Sequence, residues 1–376
     1  MLENNILEKV IQAHEVQKKF NLNPQELVDF LLAELTPRQK EIIKARYGLD
    51  RPVKQTLESI GRKFNITRER VRQIEKTALD KALSRQNILD KLADLLSLVI
   101  KYINNGGYVR LENTLFDELL ENSRDEEIDR NCLRFIFSKF LAEYIEPVDI
   151  VHTERAWRIK DKDLNHYQPL VEYIKNILIT KNQPMLLDEI VVELERQIID
   201  EKIMAIKQEI EDWQEALNSY LEVSKHFKKN LFDKWGLIKW RSVNPKRMRD
   251  KIYLILSKDN KPLHYKVIAQ RINEEKFDNK IAHPATIHNE LILDERFVLV
   301  GRGIYALKEW GYKPGVIVEV VRQVFEEKGV PMTKEEIIKE VLKRRMVKEA
   351  SAYLALSNKK IFERLSDGRY VLKSKN

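Results

Sequence analysis

The chain has 376 residues, 43% hydrophobic and 34% charged, a balance that suits several small cores with large surfaces and two to four ordinary domains. No run approaches the ~20 apolar residues of a membrane span, and a single cysteine, Cys132, excludes an intramolecular disulfide. The net charge of +8 is confined: residues 36–85 hold fourteen Lys and Arg against six Asp and Glu, while the remaining 53 basic and 53 acidic residues cancel. An anionic partner is therefore to be sought in that segment. The start, MLENNILEKV, has no basic stretch followed by an apolar one, so no signal peptide is expected, and a reducing, cytoplasmic setting follows from the lone cysteine.

Residues 1–34 are read as an N-terminal helical segment. In LTPRQKEIIKARYGLD, Thr36 caps a helix that has Pro37 at its first position and Gly48 at its end. Thr56 caps a short helix bearing Leu57, Ile60 and Phe64. FNIT makes a tight turn, and Thr67 caps a third helix, TRERVRQIEKTAL. There Val71, Ile74, Ala78 and Leu79 recur at helical spacing and form the inner stripe. Arg68, Glu69, Arg72, Gln73 and Lys76 face away from it. Two short helices joined by a turn, the second with a polar outer face, describe a helix-turn-helix. Arginine can fork onto guanine, glutamine can bracket adenine, and glutamate can accept from cytosine, while lysines hold phosphates. The competing reading is a solvated helix face laced with i,i+4 ion pairs.

Residues 35–83 resemble, without a gap, region 4 of the bacterial sigma-70 factors, which reads the promoter −35 element. The run Thr-Arg-Glu-Arg-Val-Arg-Gln-Ile-Glu from Thr67 to Glu75 carries the resemblance most specifically. It implies base contacts by Arg68, Glu69, Arg72 and Gln73. Backbone contacts are implied for Arg38, Leu57 and Thr67, with Lys76 as a further phosphate contact. It also implies docking on the flap of the RNA polymerase β subunit through the apolar side from Leu35 to Tyr47. Nothing upstream resembles the helices that open the −10 element, so a complete sigma factor is not expected.

The remainder repeats one order of features four times. An apolar helix (LLSLVIKYINN, LVEYIKNILITK, RMRDKIYLILSK, VIVEVVRQVFEE) leads to a turn, two more helices and an alternating, aromatic-rich stretch read as a hairpin. Pro184, Pro262 and Pro331 stand before the second helix of the last three units. The fold class is mainly α: a helix-turn-helix (35–88) followed by tandem winged helices, each with three helices and a β-hairpin wing, at 90–162, 166–242, 246–312 and 314–374. A stretch without Gly or Pro, residues 190–222, is read as a long helix or helical hairpin inserted into the second unit. The third unit, ending in RFVLVGRGIYALKEWGY, resembles the HARE-type winged helix shared by the RNA polymerase delta subunit. Its third helix, PATIHNELILD, has no Lys or Arg, so its phosphate attraction is small. The second unit offers Lys225, Lys228 and Lys229 among its cations, and the fourth Lys348, Lys359 and Lys360.

The seven histidines show no paired metal-ligand spacing, and no Walker loop, dinucleotide fingerprint or nucleophile elbow is present. No enzymatic activity, cofactor or metal is expected. Three functions stay open: a sequence-specific, double-stranded-DNA-binding transcription factor that also contacts the RNA polymerase core; a polymerase accessory subunit resembling delta in which protein binding dominates; and, third, a structural DNA binder that compacts or protects.

Overall fold

The computed structural model describes residues 22–120, 126–197, 200–312, 317–344 and 349–373. Of the N-terminal segment, residues 1–21 lie outside the described residues, as does Lys348. The chain is mainly helical with four small antiparallel sheets among the described residues, and it divides at Lys228 into two compact units.

The first unit opens with α1 (Pro24–Leu31), α2 (Pro37–Tyr47), α3 (Leu57–Phe64) and α4 (Arg68–Leu83). Side-chain caps set these starts. Asn23, Thr36, Thr56 and Thr67 each accept a hydrogen bond from a first-turn backbone N–H, and Thr36 with Gln39 completes a capping box. Then come α5 (Ile88–Asn105), β1 (Val109–Leu111), α6 (Glu112–Leu119), α7 (Glu126–Lys139), β2 (Ile145–Pro147) and β3 (Ala156–Ile159). The strands form a sheet in the order β1-β3-β2.

These elements do not form a separate body beside the helix-turn-helix. One core joins Leu27, Leu31 and Leu35, Ile43 of α2, and Ala78 and Ala82 of α4 to Leu92, Leu95 and Val99 of α5 and Phe135 and Phe137 of α7. The Tyr47 and Phe135 rings lie 4.8 Å apart, and the Asn131 side chain donates to the Pro52 carbonyl at 3.1 Å. Cys132 sits in this core, where burial pushes its thiol up to about 12.

The next helices are α8 (Tyr167–Lys181), α9 (Leu187–Gln197), α10 (Glu201–Glu209) and α11 (Trp213–Val223). The expected continuous helix or projecting hairpin over 190–222 is thus broken into the end of α9, α10 and α11. Aspartates make the breaks: Asp200 accepts from the N–H of Lys202 and Ile203, and Asp212 from that of Glu215. Nor does α11 project. Ala216, Leu217, Tyr220 and Leu221 are buried, and the helix lies against β1, where the Ser219 hydroxyl donates to the Val109 carbonyl at 2.6 Å. Arg110 of β1, itself buried, is gripped by Glu118 and Glu215. Tyr220 donates its O–H to the Gly107 carbonyl and receives the Nε2–H of His166, both at 2.8 Å. β4 (Phe227–Lys229) and β5 (Trp235–Leu237) pair where the first unit gives way to the second.

The second unit contains two helix-and-hairpin sets. One has α12 (Met248–Asp259), β6 (Leu263–His264), α13 (Tyr265–Glu274), α14 (Pro284–Leu293), β7 (Phe297–Gly301) and β8 (Ile304–Leu307), with sheet order β6-β8-β7. Gly303 turns β7 into β8 with φ of +70°, and a Cβ there would lie 2.7 Å from the His264 ring. Trp310 packs at the edge of the core below. The other set has α15 (Ile317–Lys328), α16 (Lys334–Arg344), α17 (Glu349–Leu356) and the pair β9 (Phe362–Arg364) and β10 (Tyr370–Leu372). Pro262 and Pro331 each precede a buried residue, Leu263 and Met332, that pairs with the hairpin edge. Proline holds the chain extended at that step. In the set built on α5, α6 and α7, β1 takes this place without a proline.

Candidate nucleic-acid interface

The helix-turn-helix is built on a small core of its own: Ile42, Ala45, Ile60 and Val71, with Leu57, Phe64, Ile66 and Ile74 packed around it. The turn between α3 and α4 is tight. Asn65 closes α3 at φ of +53°, and the Ile66 N–H returns to the Gly61 carbonyl at 3.0 Å. A Cβ on Gly61 would meet the Ile66 oxygen at 2.7 Å, so this helix–turn contact requires glycine. α4 is then held twice: Val71 enters the small core and Ala78 and Ala82 enter the large one.

That double anchorage leaves one side of α4 free. Arg68, Glu69, Arg72, Gln73 and Lys76 are all exposed, and so is Thr67. Thr67 uses its hydroxyl to cap the helix, accepting from the Arg70 N–H at 3.1 Å. Arg72 and Glu69 form a two-pronged pair, Nε and Nη2 both reaching the carboxylate at 2.7–3.1 Å. These bonds hold the Glu69 carboxyl below its usual range. Arg68 and Lys76 form no ion pair among the described residues. Arg38 lies over the Phe64 ring, 5.6 Å from its centre, and points its guanidinium towards the Phe64 carbonyl. The Leu57 side chain is spent on the small core, which leaves its backbone N–H, at the first position of α3, as the group it can offer. Chemically, the row presents two guanidinium forks, a carboxylate and an amide on one helix near its positive end, a donor and acceptor set suited to base edges and phosphates.

One residue escaped the sequence reading. Arg70 is exposed and its Nη1 donates to the Gln73 Oε1 at 3.1 Å. The apolar residues from Leu35 to Tyr47, implied as a docking face for the β flap, pack inside the first unit. Leu35 and Ile43 lie in the large core, Ile42 and Ala45 in the small one, and Tyr47 rests on Phe135 with its O–H donated to Glu75 at 2.8 Å. Hydrophobic residues that look available in a short segment are taken up by helices distant in sequence.

No helix among the described residues is long and apolar enough to cross a membrane. Residues 31–81 match the sequence model of the family described as Sigma-70, region 4. The chain is 47% identical over 66 residues to the RNA polymerase sigma factor SigA of Clostridium acetobutylicum, 18% of this chain and 17% of the relative. It is 49% identical over 57 residues to SigA1 of Synechococcus elongatus, 15% of this chain and 14% of the relative. With the principal sigma factor HrdD of Streptomyces coelicolor the identity is 41% over 75 residues, 20% of this chain and 23% of the relative. The chain thus spans less than a quarter of the length of these curated relatives. The helix-turn-helix thus matches sigma-70 region 4 over residues 31–81, in a chain whose remaining residues lie outside that match.

Proposed function

We propose that the protein is a sequence-specific transcription factor that reads a −35-like promoter element. In this reading α4 enters the major groove. Arg68, Glu69, Arg72 and Gln73 meet base edges, and Arg38, the Leu57 N–H, Thr67 and Lys76 hold the flanking phosphates. The observation that carries it is the exposed polar row on a helix whose opposite side is fixed in two cores. The four helix-and-hairpin sets after it act as tandem winged helices that add grip on DNA or contact the RNA polymerase core. The relatives are RNA polymerase sigma factors by name, which supports a polymerase partner here.

Selection of bound duplexes from a random pool, with and without polymerase, tests the reading. The full chain should prefer its selected site over random duplex by ~10³-fold or more. A polymerase accessory role, the alternative, requires binding to polymerase without DNA and little preference among duplexes. The cation-free outer side of α14 favours protein contact for that one set.

A further inference from the structure

The cancellation of charge outside residues 36–85 is a sum over a long stretch, and it hides a second basic run. Residues 229–249 hold seven cations, Lys229, Lys234, Lys239, Arg241, Lys246, Arg247 and Arg249, against one carboxylate, Asp233. The run is ordered. The Asn230 side-chain oxygen accepts from the N–H of Phe232 and Lys234 at 2.9 and 3.1 Å, and its amide donates to the Ser242 carbonyl at 3.4 Å. This ties the β4–β5 turn to the connector beyond β5. Leu231 and Met248 pack on the core of α12–α14, and Val243 and Pro245 are buried. The connector itself is coiled by bonds from Trp240 N–H to the Leu237 carbonyl and from Asn244 N–H to the Trp240 carbonyl, at 2.9 and 2.8 Å.

On this frame Lys229, Lys239, Arg241, Lys246 and Arg247 are exposed. None has a carboxylate partner among the described residues; Lys229 alone is engaged, over the Trp235 ring at 5.3 Å. Elsewhere exposed cations are commonly paired, as Lys63 is with Glu41 and Arg62 with Glu58. Ordered, unpaired cations with few amide or carboxylate groups among them suit a repeating anion, and they suit it without regard to sequence.

We propose that residues 229–249 form a second, sequence-independent surface for the phosphate backbone of duplex DNA, separate from the base-reading row on α4. The assignment of DNA as the polyanion rests on the proposed function; the surface does not. Lys239, Arg241, Lys246 and Arg247 are its principal contacts.

The test uses the full chain with all four changed to glutamine, and the site-bearing and random duplexes of the selection. Binding is followed by fluorescence anisotropy across a salt series. The salt slope should fall by about 0.9 for each phosphate contact removed, so by about 3 to 4 in all, and both duplexes should weaken alike by tenfold or more. The ratio between site and random duplex should not change. An Arg72→Ala variant should do the reverse, altering the ratio and leaving the slope nearly as it was, so failure of one assignment is distinguishable from failure of the other. A companion variant, Lys239→Arg with Lys246→Arg, keeps the charge and should bind as the parent does, which guards against a mere folding defect. An unaltered slope on both duplexes overturns the proposal. So does a loss of binding confined to the site-bearing duplex.

Discussion

Arg72 places Nε and Nη2 against the carboxylate of Glu69 one helical turn before it, at 2.7–3.1 Å, with both residues exposed. The pair is a planar fork already oriented in free protein. A guanidinium so held loses less freedom on meeting a guanine than a loose one would. Replacing Arg72 with alanine should cost about 1–3 kcal/mol of binding and relax choice at one base pair. Arg72→Lys should restore little, since lysine has no fork. Binding to single-position variants of the selected site measures both.

Lys76 stands further along the same side with no carboxylate partner among the described residues. Lys76→Ala should weaken binding to every duplex equally and lower the salt slope by about 0.9. A change in sequence preference would place Lys76 at a base instead.

The turn that sets α4 against α3 depends on Gly61. With the Ile66 carbonyl 2.7 Å from where a Cβ would stand, and backbone unable to swing aside as a side chain would, Gly61→Ala should destabilise the first unit by about 1–3 kcal/mol. Chemical denaturation of the full chain gives the figure. An alanine tolerated with unchanged midpoint would mean that the turn can open without loss.

His166 gives the first unit a pH dependence. It is buried, bonded through Nε2 to Tyr220, and desolvation holds its pKa down at about 4 against the opposing pull of Asp163 and Glu209. Unfolded, it returns to about 6.5. The neutral ring is what the fold accommodates, so its contribution is complete above about pH 6.5 and is lost as pH falls towards 4, by roughly 2–3 kcal/mol in all. Denaturation at pH 7.5 and pH 4.5 should show a larger loss for the parent than for His166→Gln, which keeps a donor and cannot titrate. Equal losses would refute it.

Much of the reader could be seen before any coordinates, because short-range chemistry writes it. Thr36, Thr56 and Thr67 announce helix starts by a hydroxyl that serves the first turn, and Val71 to Ala78 keep helical spacing. The same rule applied to Asp200 and Asp212 would have divided the supposed long helix; attention to missing Gly and Pro obscured two good caps. What no local pattern records is which apolar residues meet across the chain. Ile43, Ala78 and Phe135 lie in one core although each is explained by its own helix. Arg70 is exposed although it directly precedes the buried Val71, and the basic run at 229–249 is balanced by acidic residues elsewhere in the chain.

Ala78 and Ala82 carry one more implication. They tie the far end of α4 to helices that begin only after it in the chain, so α4 is a fixture of a larger block and not a portable cartridge. Cut after Leu83, the fragment would bare Leu35, Ile43, Leu49, Ala78 and Ala82 to water together. Insolubility or a floppy reader is then the expected fate of the excised piece, and transplanting it into another protein would demand a substitute for the missing buttress.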